Sequence, residues 1–196
     1  MRLSRRELRD LLVAWLALGV AFTFFLNPIR DPSAISSLVT SDAFARSFLI
    51  SLGTVGVGFL LHELAHKVVA VRYGQYAEFR ADYGMLALAV AGGLAGFLFA
   101  APGAVHHRGR LTNAQHGHIA LAGPVTNLAL AAAFVPLLVV VPEFAARGVE
   151  INLLLAGFNM LPIGGLDGST VRQWSTTVYL AVFVPSVLLA LWVLVL

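Results

Sequence analysis

The chain contains no cysteine, and charged side chains make up only 12% of its 196 residues. Without cysteine there is no disulfide, no thiolate zinc site and no cysteine nucleophile, although compartment stays open. A soluble domain carries about 25% charge and about 45–50% apolar residues. This chain is 59% hydrophobic, with a mean hydropathy of +0.84. Its water-facing surface would have to be built from Leu, Val, Ala and Phe, which excludes an ordinary soluble protein. Internal repeats, low-complexity tracts and long polar linkers are also missing, so one membrane-embedded domain over residues 1–196 is expected. The net charge of +3 does not call for nucleic acid, because in a membrane chain basic residues mark cytoplasmic loops.

What is present is a series of apolar stretches approaching the roughly 20 residues that cross a bilayer. Arg2, Arg5, Arg6 and Arg9 precede an apolar run from Leu11 to Leu26. The run is long for a signal peptide and no small-x-small cleavage site follows, so an uncleaved first helix with a cytoplasmic N-terminus is expected. Asn27 to Ser41, with Pro28 and Pro32, reads as a far-side loop, and a second helix returns from about Phe44 to Tyr73. Residues 84–105 are apolar but interrupted by Gly92, Gly93, Gly96, Pro102 and Gly103. They could span, or dip in and return as a re-entrant or short-strand element sheltered by protein. Further helices are expected from about Gly117 to Val141, from Gly148 to a break at Leu161-Pro162, and from Ser175 to Leu196. The fold class is thus an all-α polytopic membrane protein. It has about five transmembrane helices and one re-entrant or short-strand element, with six helices as the alternative.

Within the second helix lies His62-Glu63-Leu64-Ala65-His66, an H-E-x-x-H motif. Four residues at 100° per residue leave the two imidazoles about 40° apart on one face, where they can share an ion. Neutral imidazole suits zinc, and Glu63 stands beside the pair, able to take a proton from water activated by the metal. Three ionisable side chains in a membrane helix are costly unless they face a cavity or a partner. A hydrolytic zinc site takes a third protein ligand. His106, His107, His116 and His118 are donors by type, but in their basic polar stretch they read as loop residues. Asp167 follows the break at Pro162 among Gly164, Gly165 and Gly168, where backbone freedom lets a carboxylate reach sideways. By residue type alone, a helix N-cap before Ser169 is an equal alternative for it.

His62 to His66, followed by Asn159-Met160-Leu161-Pro162-Ile163-Gly164-Gly165-Leu166-Asp167-Gly168, resembles the site-2-protease family of intramembrane zinc metalloproteases. Ala122-Gly123-Pro124-Val125-Thr126-Asn127 is similar to the Gly-Pro segment of that family's intervening helix. The resemblance implies that His62, His66 and Asp167 bind one zinc ion and that Glu63 activates water for peptide-bond hydrolysis. It also implies that Asn127 and Asn159 are polar helpers for substrate or an oxyanion. For an isolated Asn in a membrane helix, an interhelical hydrogen bond worth about 1 kcal/mol is the alternative. No regulatory domain of the kind longer members carry is recognisable.

Charge and depth favour re-entry of 84–105. Re-entry leaves only Arg30, Arg46 and Arg147 on the far side, whereas a full span puts Arg30, Arg46, Arg108, Arg110 and Arg172 there. Only re-entry also lets Asp167 share the cytoplasmic half of the bilayer with His62. The expected partners are the lipid bilayer and a membrane-protein substrate, not nucleic acid. The competing function is a non-proteolytic zinc-binding protein or transporter, for which paired half-repeats or an acidic pathway would be the signs.

Overall fold

The computed structural model describes residues 2–29, 35–97 and 102–195. Arg30 and Pro32 of the expected far-side loop, and residues 98–101 of the expected re-entrant run, lie outside them. The chain divides into two compact units, one of residues 3–57 and 79–104, the other of residues 58–78 and 105–196 with residues 1–2.

The first unit is built on α1 (Arg5–Leu26), whose first turn is capped by the Ser4 hydroxyl accepting from the Glu7 amide at 3.1 Å. Leu11, Ala14, Leu18 and Ala21 recur every three or four residues and form its buried stripe. After the short α2 (Ile35–Val39), α3 (Asp42–Ser51) starts on a Ser41 cap. It passes through a π-turn, Leu52–Gly56, where the Trp15 indole donates to the Leu52 carbonyl at 3.0 Å. Beyond the turn the helix continues as α4 (Val57–Arg72), giving 31 helical residues from Asp42 to Arg72.

Two strands, β1 (Tyr76–Ala81) and β2 (Gly103–Arg108), pair as a two-stranded sheet. The Asp82 amide donates to Pro102 O at 3.1 Å, and Gln75 meets Gly109 at the other end, so the strands run antiparallel. Between them α5 (Tyr83–Leu94) lies along α1. The Tyr83 hydroxyl donates to Asp10 at 2.8 Å, and ten residues later Gly93 is packed on the Ala21 carbonyl. The two helices therefore run parallel. Twelve residues span about 18 Å, and a segment whose two ends pair as neighbouring strands has not crossed a bilayer. The structure thus favours the re-entrant or short-strand element over a sixth transmembrane helix.

The second unit carries α4, α6 (Asn113–Phe134) with a 3₁₀ turn at Val135–Val139, α7 (Pro142–Asn159), α8 (Asp167–Trp174) and α9 (Thr176–Val195). Helix α6 begins earlier than the expected Gly117 because Thr112 and Gln115 form a reciprocal capping box. Proline at the first position of α7 likewise starts that helix ahead of Gly148. Helices α6 and α7 pack together, α8 lies against α6, and α9 closes on α7. Ala120, Met160, Val171 and Tyr179 form one buried cluster between them.

Among the described residues four helices are long and apolar enough to cross a membrane: Arg5–Leu26, Asp42–Arg72, Asn113–Val139 and Thr176–Val195. Helix α7, expected as a crossing, carries Glu143, Arg147 and Glu150 and is not among them. The chain is an all-α polytopic membrane protein with one small strand pair.

Candidate metal centre

Helix α4 presents His62 and His66 on one side, with ring centroids 4.6 Å apart. Both are buried, as is Glu63 between them. Across from them stands Asp167, the first residue of α8. After α7 ends at Asn159, Gly164 turns the chain with a φ of 57°, a conformation glycine adopts without strain. Gly168 then seats α8 so closely against the Met160 carbonyl that a Cβ could not fit. The N-cap position falls to Leu166, and the Ser169 amide donates to Leu166 O at 3.1 Å. Asp167 is therefore not the cap of α8, and its carboxylate is free to point at α4.

Oδ2 of Asp167 lies 3.2 Å from His62 Nε2 and 3.4 Å from His66 Nε2. Four ligands at about 2.0–2.1 Å around a tetrahedral zinc stand about 3.3 Å apart, so these separations match the edges of that tetrahedron. His66 Nδ1 is 2.7 Å from the Ile119 carbonyl, which can only accept, so Nδ1 carries a proton and the neutral ring has its lone pair on Nε2. His62 Nδ1 is 2.6 Å from Asn127 Oδ1 and is fixed in the same tautomer. The buried Asp167 Oδ2 has no hydrogen-bond partner. With both imidazoles neutral, two ring nitrogens and one carboxylate oxygen converge as acceptors, an arrangement suited to a cation.

Gly123 of α6 backs the space between the imidazoles. A Cβ there would stand 2.5 Å from both Nε2 atoms and fill the position on which they converge. Glu63 has His62, His66 and Asp167 as charged or polar neighbours, with the backbone of Val105 in β2 beside it.

Asn127 lies behind His62, fully buried, with its Nδ2 donating to Gly58 O at 3.2 Å and Asn152 Oδ1 at 2.9 Å. Its side chain is committed to protein groups and not turned toward an open face. Asn159 donates to Leu155 O at 2.9 Å within its own helix.

The four other histidines do not join the cluster, and His62, His66 and Asp167 form the single such group among the described residues. They are not loop residues: His106 and His107 belong to β2, and His116 and His118 to α6. His107 pairs with His116 at 5.4 Å between ring centroids, while His118 Nδ1 shares a 2.6 Å hydrogen bond with the Tyr73 hydroxyl and its ring abuts Trp174. Burial, then the neighbouring His116 and His106, push the His107 pKa down. Ile119 and Asn152 carry no motif; the one hint is a polar residue at Asn152 inside an apolar stretch.

No protein-family model matches the chain, and no solved structure does. Over 192 residues it is 41% identical to a curated protein of Methanocaldococcus jannaschii whose name is "Putative zinc metalloprotease", covering 94% of this chain and 92% of the relative.

Proposed function

The chain belongs to the zinc metalloprotease family of its Methanocaldococcus jannaschii relative, and from that premise we propose that it is an intramembrane zinc endopeptidase of the site-2-protease kind. It would hydrolyse peptide bonds in or near transmembrane segments of other membrane proteins. The observation that carries this reading is the meeting of His62, His66 and Asp167 in a chain whose helices are long and apolar enough to cross a bilayer.

In this reading His62, His66 and Asp167 hold one zinc ion and leave a fourth position open. Zinc supplies Lewis acidity, lowering the pKa of a water toward about 7. Glu63 accepts the proton of the attacking water and passes it to the departing amide nitrogen. A peptide bond within a helix is shielded by its own hydrogen bonds, so the substrate unwinds locally before it reaches Glu63.

The site belongs on the cytoplasmic side together with the N-terminus. Lys67, one residue beyond His66, donates to the Arg2 carbonyl at 3.1 Å, and Arg2 leads the basic N-terminal cluster.

The test is protein purified in mild detergent, with metal content read by mass spectrometry and cleavage followed on membranes containing parent or Glu63→Gln protein. One zinc per chain, and a membrane-protein fragment that appears only with the parent, support the reading. Absence of zinc, or equal cleavage by Glu63→Gln, overturns it. Zinc flux in proteoliposomes without peptide hydrolysis would replace it with transport.

A further inference from the structure

We propose that Asn152 of α7 is a positioning residue for the metal centre, holding His62, through Asn127, in the tautomer that leaves Nε2 free for the ion. The inference rests on the zinc reading above.

The direction of each hydrogen bond follows from a backbone carbonyl. Gly148 O can only accept, so the group 2.9 Å from it on Asn152 is the amide nitrogen. Asn152 then turns Oδ1 toward Asn127 and accepts from its Nδ2 at 2.9 Å. That bond, with the one to Gly58 O, fixes which end of the Asn127 amide faces His62. The end is Oδ1, at 2.6 Å, and an acceptor there requires the imidazole proton on Nδ1. The polarity set by one carbonyl of α7 thus passes through α6 to the ring on α4.

Both amides are fully buried. Gly58 leaves the room this needs, since a Cβ there would meet Asn152 Oδ1 at 2.8 Å. Without Asn152, the Asn127 amide keeps only its 3.2 Å bond to Gly58 O, so its Oδ1 is held less firmly against His62 Nδ1. Outer partners of metal-ligating histidines are typically worth about 10–100-fold in metal affinity.

The test compares parent, Asn152→Leu and Asn152→Asp by chelator competition for zinc, by the visible spectrum of the cobalt-loaded protein, and by thermal unfolding of the metal-free form. Buried and neutral, the Asp variant can donate a hydroxyl to Gly148 O and accept from Asn127, preserving the direction of the chain. The expected result is zinc binding about 10–100-fold weaker in Asn152→Leu with an altered cobalt spectrum. Asn152→Asp should return close to the parent in both, and metal-free melting should not track the loss. Asn152→Ala serves if the Leu variant does not fold. Parent-like zinc affinity and cobalt spectrum in the Leu or Ala variant, or an equal loss in Asn152→Asp, overturns the proposal. A parent that binds no zinc instead overturns the reading on which it rests.

Discussion

Asp167 Oδ2 and His62 Nε2 face each other at 3.2 Å, and in the neutral imidazole, with its proton on Nδ1 against Asn127, both are acceptors. Lone pairs brought so close in a buried site repel unless a proton or a cation lies between them. With Asp167 as the proposed third ligand, the arrangement separates the consequences of changing each neighbour.

Asp167→Asn keeps the shape but removes the charge that offsets a divalent ion, so zinc content after purification should fall to near zero. Joint replacement of His106, His107, His116 and His118, which lie outside the cluster, should leave it unchanged. Mass spectrometry of both variants checks this, and the opposite pattern would move the site to β2 and the start of α6.

Glu63→Gln should retain zinc, because Glu63 is beside the three ligand atoms and not one of them. Its amide cannot accept a proton from water, so turnover should drop by about 10²–10⁴-fold. Zinc content and cleavage rate measured on the same preparation distinguish this from a ligand role, in which both would be lost together.

Gly123→Ala is a test of space. In the middle of a helix, alanine is favoured over glycine by about 0.8–1.0 kcal/mol. Here, however, the added methyl would stand 2.5 Å from both Nε2 atoms. Zinc binding should be abolished while helical content by circular dichroism is retained.

Chelation should lower the melting temperature of the parent, since an ion that binds only the folded form at 100 times its Kd contributes about 2.7 kcal/mol. Glu63→Gln should show the same shift, and Asp167→Asn should show none. Differential scanning in detergent with and without chelator reads all three.

The strand pair predicts topology. Because the chain lacks cysteine, single cysteines at Tyr76 and His106, on paired antiparallel strands, report cleanly. Both should react with an impermeant maleimide from the same face of sealed vesicles. Labelling from opposite faces would restore the six-helix alternative.

Composition and period determined much of this protein. Low charge and bilayer-length apolar runs dictated helices, because a backbone in lipid must satisfy its own hydrogen bonds. Four-residue spacing put His62 and His66 on one face, since a helix turns every 3.6 residues. The break at Pro162 and the glycines around Asp167 marked where a carboxylate could leave the helical path. Helix starts were less legible: the capping box at Thr112 extended α6 and proline at Pro142 extended α7, local chemistry that hydrophobic period does not register. The loop assignment of the four histidines failed for a related reason, because polar residues also form a half-exposed strand and the opening turns of a capped helix.

The tertiary structure alone decided how the centre is held. Asn127 is 65 residues from His62, and the Ile119 carbonyl is 53 from His66. Asn152 reaches His62 only through a second amide on another helix. No periodicity links such positions, because which helices adjoin depends on how whole surfaces pack. The resemblance brought Asn127 forward as a helper for substrate, yet the fold placed it behind the imidazole. An amide's role is set by which of its two ends meets a fixed donor or acceptor, and that is a property of neighbours in space.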